Sequence, residues 1–269
     1  MPELPEVETT RRGIEPFLQN QLIEFVEVRN GSLRWPVSPE VHELRATIVK
    51  NITRRGKYII LHFDKGSVLI HLGMSGSLRV VDSTMAAQKH DHLDFHLASG
   101  KIIRFNDPRR FGSVLWAPDW SSHVLIETLG LEPFDMGFTG EYLYQAAQTK
   151  KVTAKQFIMN SKLVVGVGNI YANEALFMAG IHPKRAVNRI SLKRMNLFVE
   201  KIKEVLSLAI EQGGTTLKDF VGSDGKPGYF QQQLYVYGRR GKACKKCGST
   251  LQEIRLNNRS TVFCKHCQT

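Results

Sequence analysis

Met1-Pro2-Glu3-Leu4-Pro5-Glu6-Val7-Glu8 opens the chain, and it reads in two ways. As local structure it starts a helix. Proline and glutamate suit a first turn, where the N–H lacks a partner anyway and negative charge meets the positive end of the helix dipole. Leu4, Val7, Ile14 and Leu18 continue it as an apolar stripe at helical spacing. As chemistry the stretch is unusual. Removal of Met1, which a small second residue permits, leaves Pro2 with a free secondary amine. An α-amine ionises near ~8, so a useful fraction is unprotonated at neutrality and can attack a carbonyl-like carbon to form a Schiff base. Glu3 and Glu6, three apart, would share a helical face and handle protons around that amine.

Outward from this helix, residues 20–117 carry short β-type runs separated by turns: Ile23–Arg29, Thr47–Thr53, Tyr58–Phe63, Val68–Leu72, Leu78–Val81, Leu93–Leu97, Ile102–Phe105 and Val114–Trp116. Asp64-Lys65-Gly66 and Ser99-Gly100 read as hairpin turns. Such runs without long intervening helices predict an antiparallel sandwich or barrel. Past Pro118 the periodicity becomes helical, at 122–129, 140–148, 153–160, 169–179 and 191–212. Asn169 reads as the cap of the fourth helix, after a glycine-containing run suited to an anion at a helix start. Residues 215–230, rich in Gly, Ser, Thr and Asp, read as a loop.

With 37 Lys and Arg against 25 Asp and Glu, the net charge is +12, which favours a polyanionic partner, nucleic acid first. No apolar run approaches the ~20 residues of a membrane span and no signal-peptide core is present, so a soluble cytoplasmic protein is expected. All 4 cysteines lie in the last 26 residues as Cys244-x2-Cys247-x16-Cys264-x2-Cys267. This spacing predicts one tetrahedral zinc ion with no open position, so a structural metal. Two disulfides or a redox site are the alternatives. The finger is too small for much core of its own, so metal should be its main source of stability. Thr250–Arg255 and Ser260–Phe263 would pair as a hairpin with Asn257, Asn258 and Arg259 at or near its turn.

Two further turns stand out, His71-Leu72-Gly73-Met74-Ser75-Gly76 and Asp107-Pro108-Arg109-Arg110-Phe111-Gly112. An apolar side chain is ordinarily core. Met74 and Phe111 at turns, with Arg109 beside them, suit wedges that enter a base stack and fill the space of an extruded base.

In order and across the whole chain, Pro2–Glu8, Gly73–Gly76, Asp107–Gly112, Val165-Gly166-Val167-Gly168-Asn169-Ile170-Tyr171 and the four-cysteine finger resemble bacterial formamidopyrimidine-DNA glycosylase. The resemblance implies an α+β fold. An antiparallel β-sandwich with a leading helix (1–117) and a linker (118–139) would precede a helix-two-turn-helix domain (140–234) with a lesion loop (215–230), then a zinc-finger hairpin (235–269). It also implies a base-excision enzyme for oxidised purines that cleaves the strand at the abasic site. Pro2 would be the nucleophile, Glu3 the acid, Lys57 the β-elimination residue and Arg259 the δ-elimination residue. His90, Arg109, Lys150 and Asn169 would contact DNA, with Met74, Arg109 and Phe111 filling the void. Glu6, Thr215, Thr216 and Lys218 would read the lesion, and Cys244, Cys247, Cys264 and Cys267 would hold one zinc ion. Damaged double-stranded DNA is the expected partner of a nucleoid-associated monomer without membrane or small-molecule cofactor. A relative of the endonuclease VIII type and a non-catalytic zinc-finger DNA-binding protein are the rival readings.

Overall fold

The computed structural model describes residues 1–215 and 233–269. Two compact units divide them: Met1–Thr128 with the segment that begins at Gln212, and Leu129–Glu211 with the carboxyl-terminal residues. Thr216, Lys218 and the rest of the expected loop 215–230 beyond Thr215 lie outside the described residues.

The first unit begins with α1, Leu4–Leu18. Its predicted apolar stripe is fully engaged, with Leu4, Val7, Ile14 and Leu18 all buried. Nine strands follow, β1 (Leu22–Val28), β2 (Arg45–Ile48), β3 (Asn51–Arg55), β4 (Tyr58–Phe63), β5 (Gly66–His71), β6 (Ser77–Asp82), β7 (Asp91–Leu97), β8 (Lys101–Asn106) and β9 (Ser113–Ala117), with the single-turn helix α2 (Pro39–His42) after β1. They form two antiparallel sheets, ordered β2-β1-β7-β8-β6 and β3-β4-β5-β9. One apolar cluster, including Ile23, Ile59, Leu61, Ile70, Phe95, Ile103 and Phe105, fills the space between them. This is the expected sandwich rather than a barrel, since the chain closes neither sheet.

The run Thr47–Thr53, read from sequence as one strand, is two strands in different sheets. At Val49-Lys50 the chain turns a corner: Val49 exchanges backbone hydrogen bonds with Asn20 and Gln21 while Lys50 N already donates to His62 O on β4. Apolar residues continue on both sides of the corner, Ile48 and Val49 before it and Ile52 after it, so hydropathy does not mark it, although Val49 is buried while Ile48 and Lys50 are exposed. Helix α1 packs on β3 and β4 of one sheet and on β6 and β8 of the other. It therefore covers the side of the sandwich where edge strands β3 and β6 lie, which both buries its apolar face and protects two sheet edges.

The second unit holds α3's successors: after α3 (Val124–Glu127) in the first unit come α4 (Gly140–Ala147), α5 (Ala154–Ile158), α6 (Asn169–Met178), a 3-10 turn at Val187–Arg189, α7 (Leu192–Glu211) and the hairpin β10 (Gln252–Leu256) and β11 (Arg259–Phe263). Helix α6 is buried nearly all round and is gripped by α7 and β11. The finger shares a core with it, Phe177 packing with Val236, Leu251, Val262, Cys244 and Cys264. The spacing of the cysteines makes metal the main expected source of the finger's stability. The structure adds this shared core and a set of buried polar ties, which spacing patterns do not encode.

Glu174 on α6 is the strongest of those ties. One carboxylate oxygen accepts from Tyr235 N at 2.7 Å and the other from Val236 N at 2.9 Å and Tyr237 N at 2.8 Å. Burial pushes its pKa up, against the three N–H donors and Lys245, which favour the charged form. Glu174→Ala orphans three backbone donors and is expected to cost about 3–5 kcal/mol of unfolding free energy, read as the drop in urea midpoint. A variant that unfolds with the wild type would show the tie to be dispensable.

Candidate active site

Glu3 is the N-cap of α1, with φ −105° and ψ −170°. It is extended, so Glu3 and Glu6 do not share a helical face as their spacing suggested. Instead the Glu6 side chain folds back, one oxygen accepting from Glu3 N at 2.9 Å. Its other oxygen accepts from Thr215 N at 2.8 Å. Glu6 is 0 % exposed, so its carboxylate joins the helix start to the segment that leads into residues 216–232. Pro2 is buried at the same end. The terminal α-amine on Met1 has its pKa lowered from 8.0: burial is the main cause, Glu3 and Glu6 oppose it, and the Lys57 and Arg109 charges reinforce it. Four expected site residues, from three separate stretches, therefore gather around the amino end.

Lys57 reaches this place on a two-residue turn. Arg55 pairs with Tyr58 across β3 and β4, leaving Gly56-Lys57 as the hairpin tip, with Gly56 at φ +57°. The hairpin is tied to α1 by Arg54, whose Nε donates to Glu8 at 3.1 Å. Arg11 and Arg12 on α1 hold the same carboxylate.

The two turns expected to carry wedges form one knot. Gly73 has φ +62°, and a Cβ there would stand 2.4 Å from the Phe111 carbonyl carbon. A Cβ on Gly112 would meet His71 O at 2.7 Å. Only glycine permits the turns to abut so closely. Asp107, fully buried, locks them together by accepting from Ser75 Oγ at 2.8 Å and from Gly112 N at 2.7 Å. Held this way, Met74 and Phe111 remain 39 % and 49 % exposed, as wedges require and core residues do not. Arg109 lies exposed between them in sequence, and His90 adjoins the knot through its carbonyl, which accepts from Asp107 N at 3.0 Å.

His71 was not singled out from sequence, where it is one histidine at a strand end. Its Nδ1 accepts from Gly73 N at 3.0 Å, which makes Nε2 the N–H of a neutral ring. Burial, with Lys57 and Arg34 adding to it, lowers its pKa to about 4.

In the second unit, α6 is capped by Gly168, and Asn169, expected as the cap, is the first helical residue. The shift follows from Gly168, whose extended backbone ends the glycine-containing run. Asn173 one turn on donates to Asn169 O at 2.6 Å and accepts from Val262 N of β11 at 3.0 Å. The finger hairpin turns at Asn257-Asn258, both with positive φ (+49° and +60°), and Leu256 pairs with Arg259. Arg259 is thus the exposed first residue of β11. It lines a cavity of about 660 Å³ with Lys150, Lys155, Lys162, Phe157 and Leu163.

The Sγ atoms of Cys244, Cys247, Cys264 and Cys267 all lie within 4.8 Å of one another. Two of the separations are 3.9 Å (Cys244–Cys267) and 3.5 Å (Cys247–Cys264). A tetrahedron with Zn–S bonds of about 2.3 Å has edges of roughly 3.8 Å, so the four thiols fit one zinc ion. Four thiolates leave no coordination position for substrate, and the ion holds structure.

A helix-led β-sandwich joined to a helical unit with a four-thiolate finger is the architecture of helix-two-turn-helix DNA glycosylases. Family models match over nearly the whole chain: the formamidopyrimidine-DNA glycosylase N-terminal domain at residues 1–114, the formamidopyrimidine-DNA glycosylase H2TH domain at 129–221, and the zinc finger found in FPG and IleRS at 241–269. The chain belongs to the formamidopyrimidine-DNA glycosylase family. A protein of that name from Marinobacter nauticus is 56 % identical over 269 residues, all of both chains. Another from Photobacterium profundum is 53 % identical over 268 residues, again with both chains fully covered. The Lactococcus lactis Fpg bound to DNA containing an abasic site superposes with TM-score 0.91 at 31 % identity, covering 99 % of each chain.

Because His71 is neutral when folded and titrates near ~6.5 when unfolded, the unfolded chain alone takes up its proton as pH falls through the window from 6.5 to about 4. Stability is full above that window and declines within it, so between pH 7 and pH 5 the wild type should lose about 2 kcal/mol more than His71→Asn. Urea midpoints at both pH values measure this; parallel losses would contradict it.

Proposed function

We propose that this protein is a bifunctional DNA glycosylase that removes oxidised purines, 8-oxoguanine and formamidopyrimidines, from double-stranded DNA and then cuts the strand at the abasic site. Its relatives carry the glycosylase name, and a mutant of the Lactococcus lactis relative has been solved with DNA containing Fapy-dG. The observation that carries the mechanism is the amino end of α1, where Pro2 is buried and acids and cations from separate stretches surround the terminal amine.

Once Met1 is removed, the Pro2 nitrogen attacks C1′ of the damaged nucleotide and Glu3 supplies the proton that eases release of the base. The iminium so formed draws electrons and acidifies the C2′ proton, and Lys57, at its hairpin tip, serves the β-elimination that breaks the C3′–O3′ bond. Arg259 serves the δ-elimination that follows. Extrusion of the base needs something to hold the duplex open, which the exposure of Met74 and Phe111 on a locked double turn supports, with Arg109 facing the orphaned base. His90, Lys150 and Asn169 contact the backbone, Asn169 from the start of a helix whose dipole favours phosphate. Glu6 and Thr215, bonded to each other, contact the lesion with Thr216 and Lys218.

The zinc ion on Cys244, Cys247, Cys264 and Cys267 keeps the finger folded. The proposed division of labour follows the segments 1–117, 140–234 and 235–269 with the linker 118–139, Gln212–Thr215 belonging to the amino-terminal compact unit. A substrate of chromosomal DNA favours action in the bacterial cytoplasm, at the nucleoid.

Acetylating the Pro2 nitrogen is expected to reduce both base release and strand scission at least about a hundredfold. Retention of both activities would overturn the mechanism. In the unblocked enzyme the nucleophile must be unprotonated, so single-turnover imine formation should rise with pH and then level off as the Pro2 amine loses its proton. A rate that falls as pH rises would contradict it. Excision from duplexes containing 8-oxoguanine or thymine glycol, compared side by side, separates this reading from an endonuclease VIII type of enzyme: the purine lesion should be removed faster.

A further inference from the structure

Lys155 is 2 % exposed, an expensive position for an ammonium group unless its protons are taken up. Its Nζ donates to Ser260 O at 2.9 Å and to Thr261 Oγ1 at 2.7 Å. Thr261 is itself 0 % exposed, and its hydroxyl lies 3.1 Å from the Arg259 carbonyl. The direction of this relay is forced. A lysine ammonium only donates, so the Thr261 oxygen accepts from it and the hydroxyl proton goes on to Arg259 O. One buried cation thus fixes three consecutive residues at the start of β11.

The base of the relay is rigid too. Lys155 sits in α5, whose first turn carries a reciprocal capping box between Thr153 and Gln156. Backbone bonds from Ala154 N to Arg185 O and from Lys155 N to Pro183 O anchor that turn. At the other end, Arg259 leaves the tight Asn257-Asn258 turn with its side chain exposed beside the cavity that Lys155 also lines.

We propose that Lys155 and Thr261 are positioning residues for Arg259, holding its backbone so that the guanidinium is presented to the DNA in one orientation during δ-elimination. This rests on the reading of Arg259 given above. In that step the iminium makes the C4′ proton of the β-eliminated sugar acidic. The proton leaves to a base, a C4′=C5′ double bond forms, and the C5′–O5′ bond breaks with its electron pair going to the phosphate left on the upstream strand. Water then hydrolyses the iminium, returning the Pro2 amine and releasing the sugar fragment as an aldehyde. A fixed cation near the departing phosphate oxygen lowers the barrier only when aimed at it, and a misplacement of about 1 Å can cost up to a hundredfold.

The test uses full-length, zinc-loaded, Met1-processed enzyme on duplex DNA with one abasic site, the β- and δ-products being resolved on denaturing gels. Thr261→Val keeps the shape and removes the relay. It should slow δ-product formation about tenfold while imine trapping and the β-product form as in the wild type. Thr261→Ser restores the hydroxyl and should restore the partition, and Lys155→Met should act as Thr261→Val does. Arg259→Ala should lose the δ-product, and adding Thr261→Val to it should change nothing further. A wild-type partition in zinc-loaded Thr261→Val, or a fall of both products in equal proportion, overturns the relay while leaving the assignment of Arg259 intact. Persistence of the δ-product in Arg259→Ala overturns that assignment and the relay with it.

Discussion

The Glu8 carboxylate is the contact on which the amino-terminal arrangement depends. It is 9 % exposed and is held by Arg11 and Arg12 of its own helix and by Arg54 of β3. Burial alone would raise its pKa, but the hydrogen bonds from Arg11 and Arg12 and the charges of Arg11 and Arg54 outweigh it and keep the group ionised below its ordinary range. A buried carboxylate with several guanidinium donors is worth having where geometry must be fixed, since no apolar contact of similar size sets an orientation. Here it joins the helix that carries Pro2 to the hairpin that carries Lys57. The two groups proposed to act in sequence on one sugar are thus set by one ion-pair cluster.

A similar device recurs at three further places. Glu6 joins the helix start to Thr215, Asp107 joins the Ser75 turn to the Gly112 turn, and Asn173 joins Asn169 to β11. Each is a buried polar side chain accepting from backbone N–H groups or a hydroxyl of a distant segment. The apolar core makes the sandwich stable, and these few polar ties make its loops specific. A loop with few apolar contacts has little else to hold it, and each buried acceptor would be costly unpaired.

Most of the architecture was legible in the sequence, because it rests on periodicity and spacing. The α1 stripe, the hairpin of Tyr58–Phe63 with the next strand and the paired Cys-x2-Cys knuckles each follow from rules that act over a few residues. The polar ties were not legible. Nothing within several residues of Asp107, Lys155 or Thr261 indicates that its partner lies on another element, and a buried lysine looks in sequence like a solvated one. His71 escaped for the same reason: its low pKa comes from burial and from Lys57 and Arg34, neither of them adjacent to it. The spacing of Glu3 and Glu6 misled, because helical spacing argues from a helix that starts one residue later than Glu3. The corner at Val49-Lys50 was hidden because apolar residues, Ile48 and Val49 before it and Ile52 after it, continue through the run.

In the proposed mechanism the first mature nitrogen of the chain is the atom that bonds to deoxyribose. Borohydride reduction of the enzyme on 8-oxoguanine DNA, followed by nuclease and protease digestion and tandem mass spectrometry, locates that bond directly. A sugar remnant is expected on the peptide that begins at Pro2, with Met1 absent. A remnant on Lys57 or any other lysine, with the Pro2 nitrogen unmodified, would contradict it.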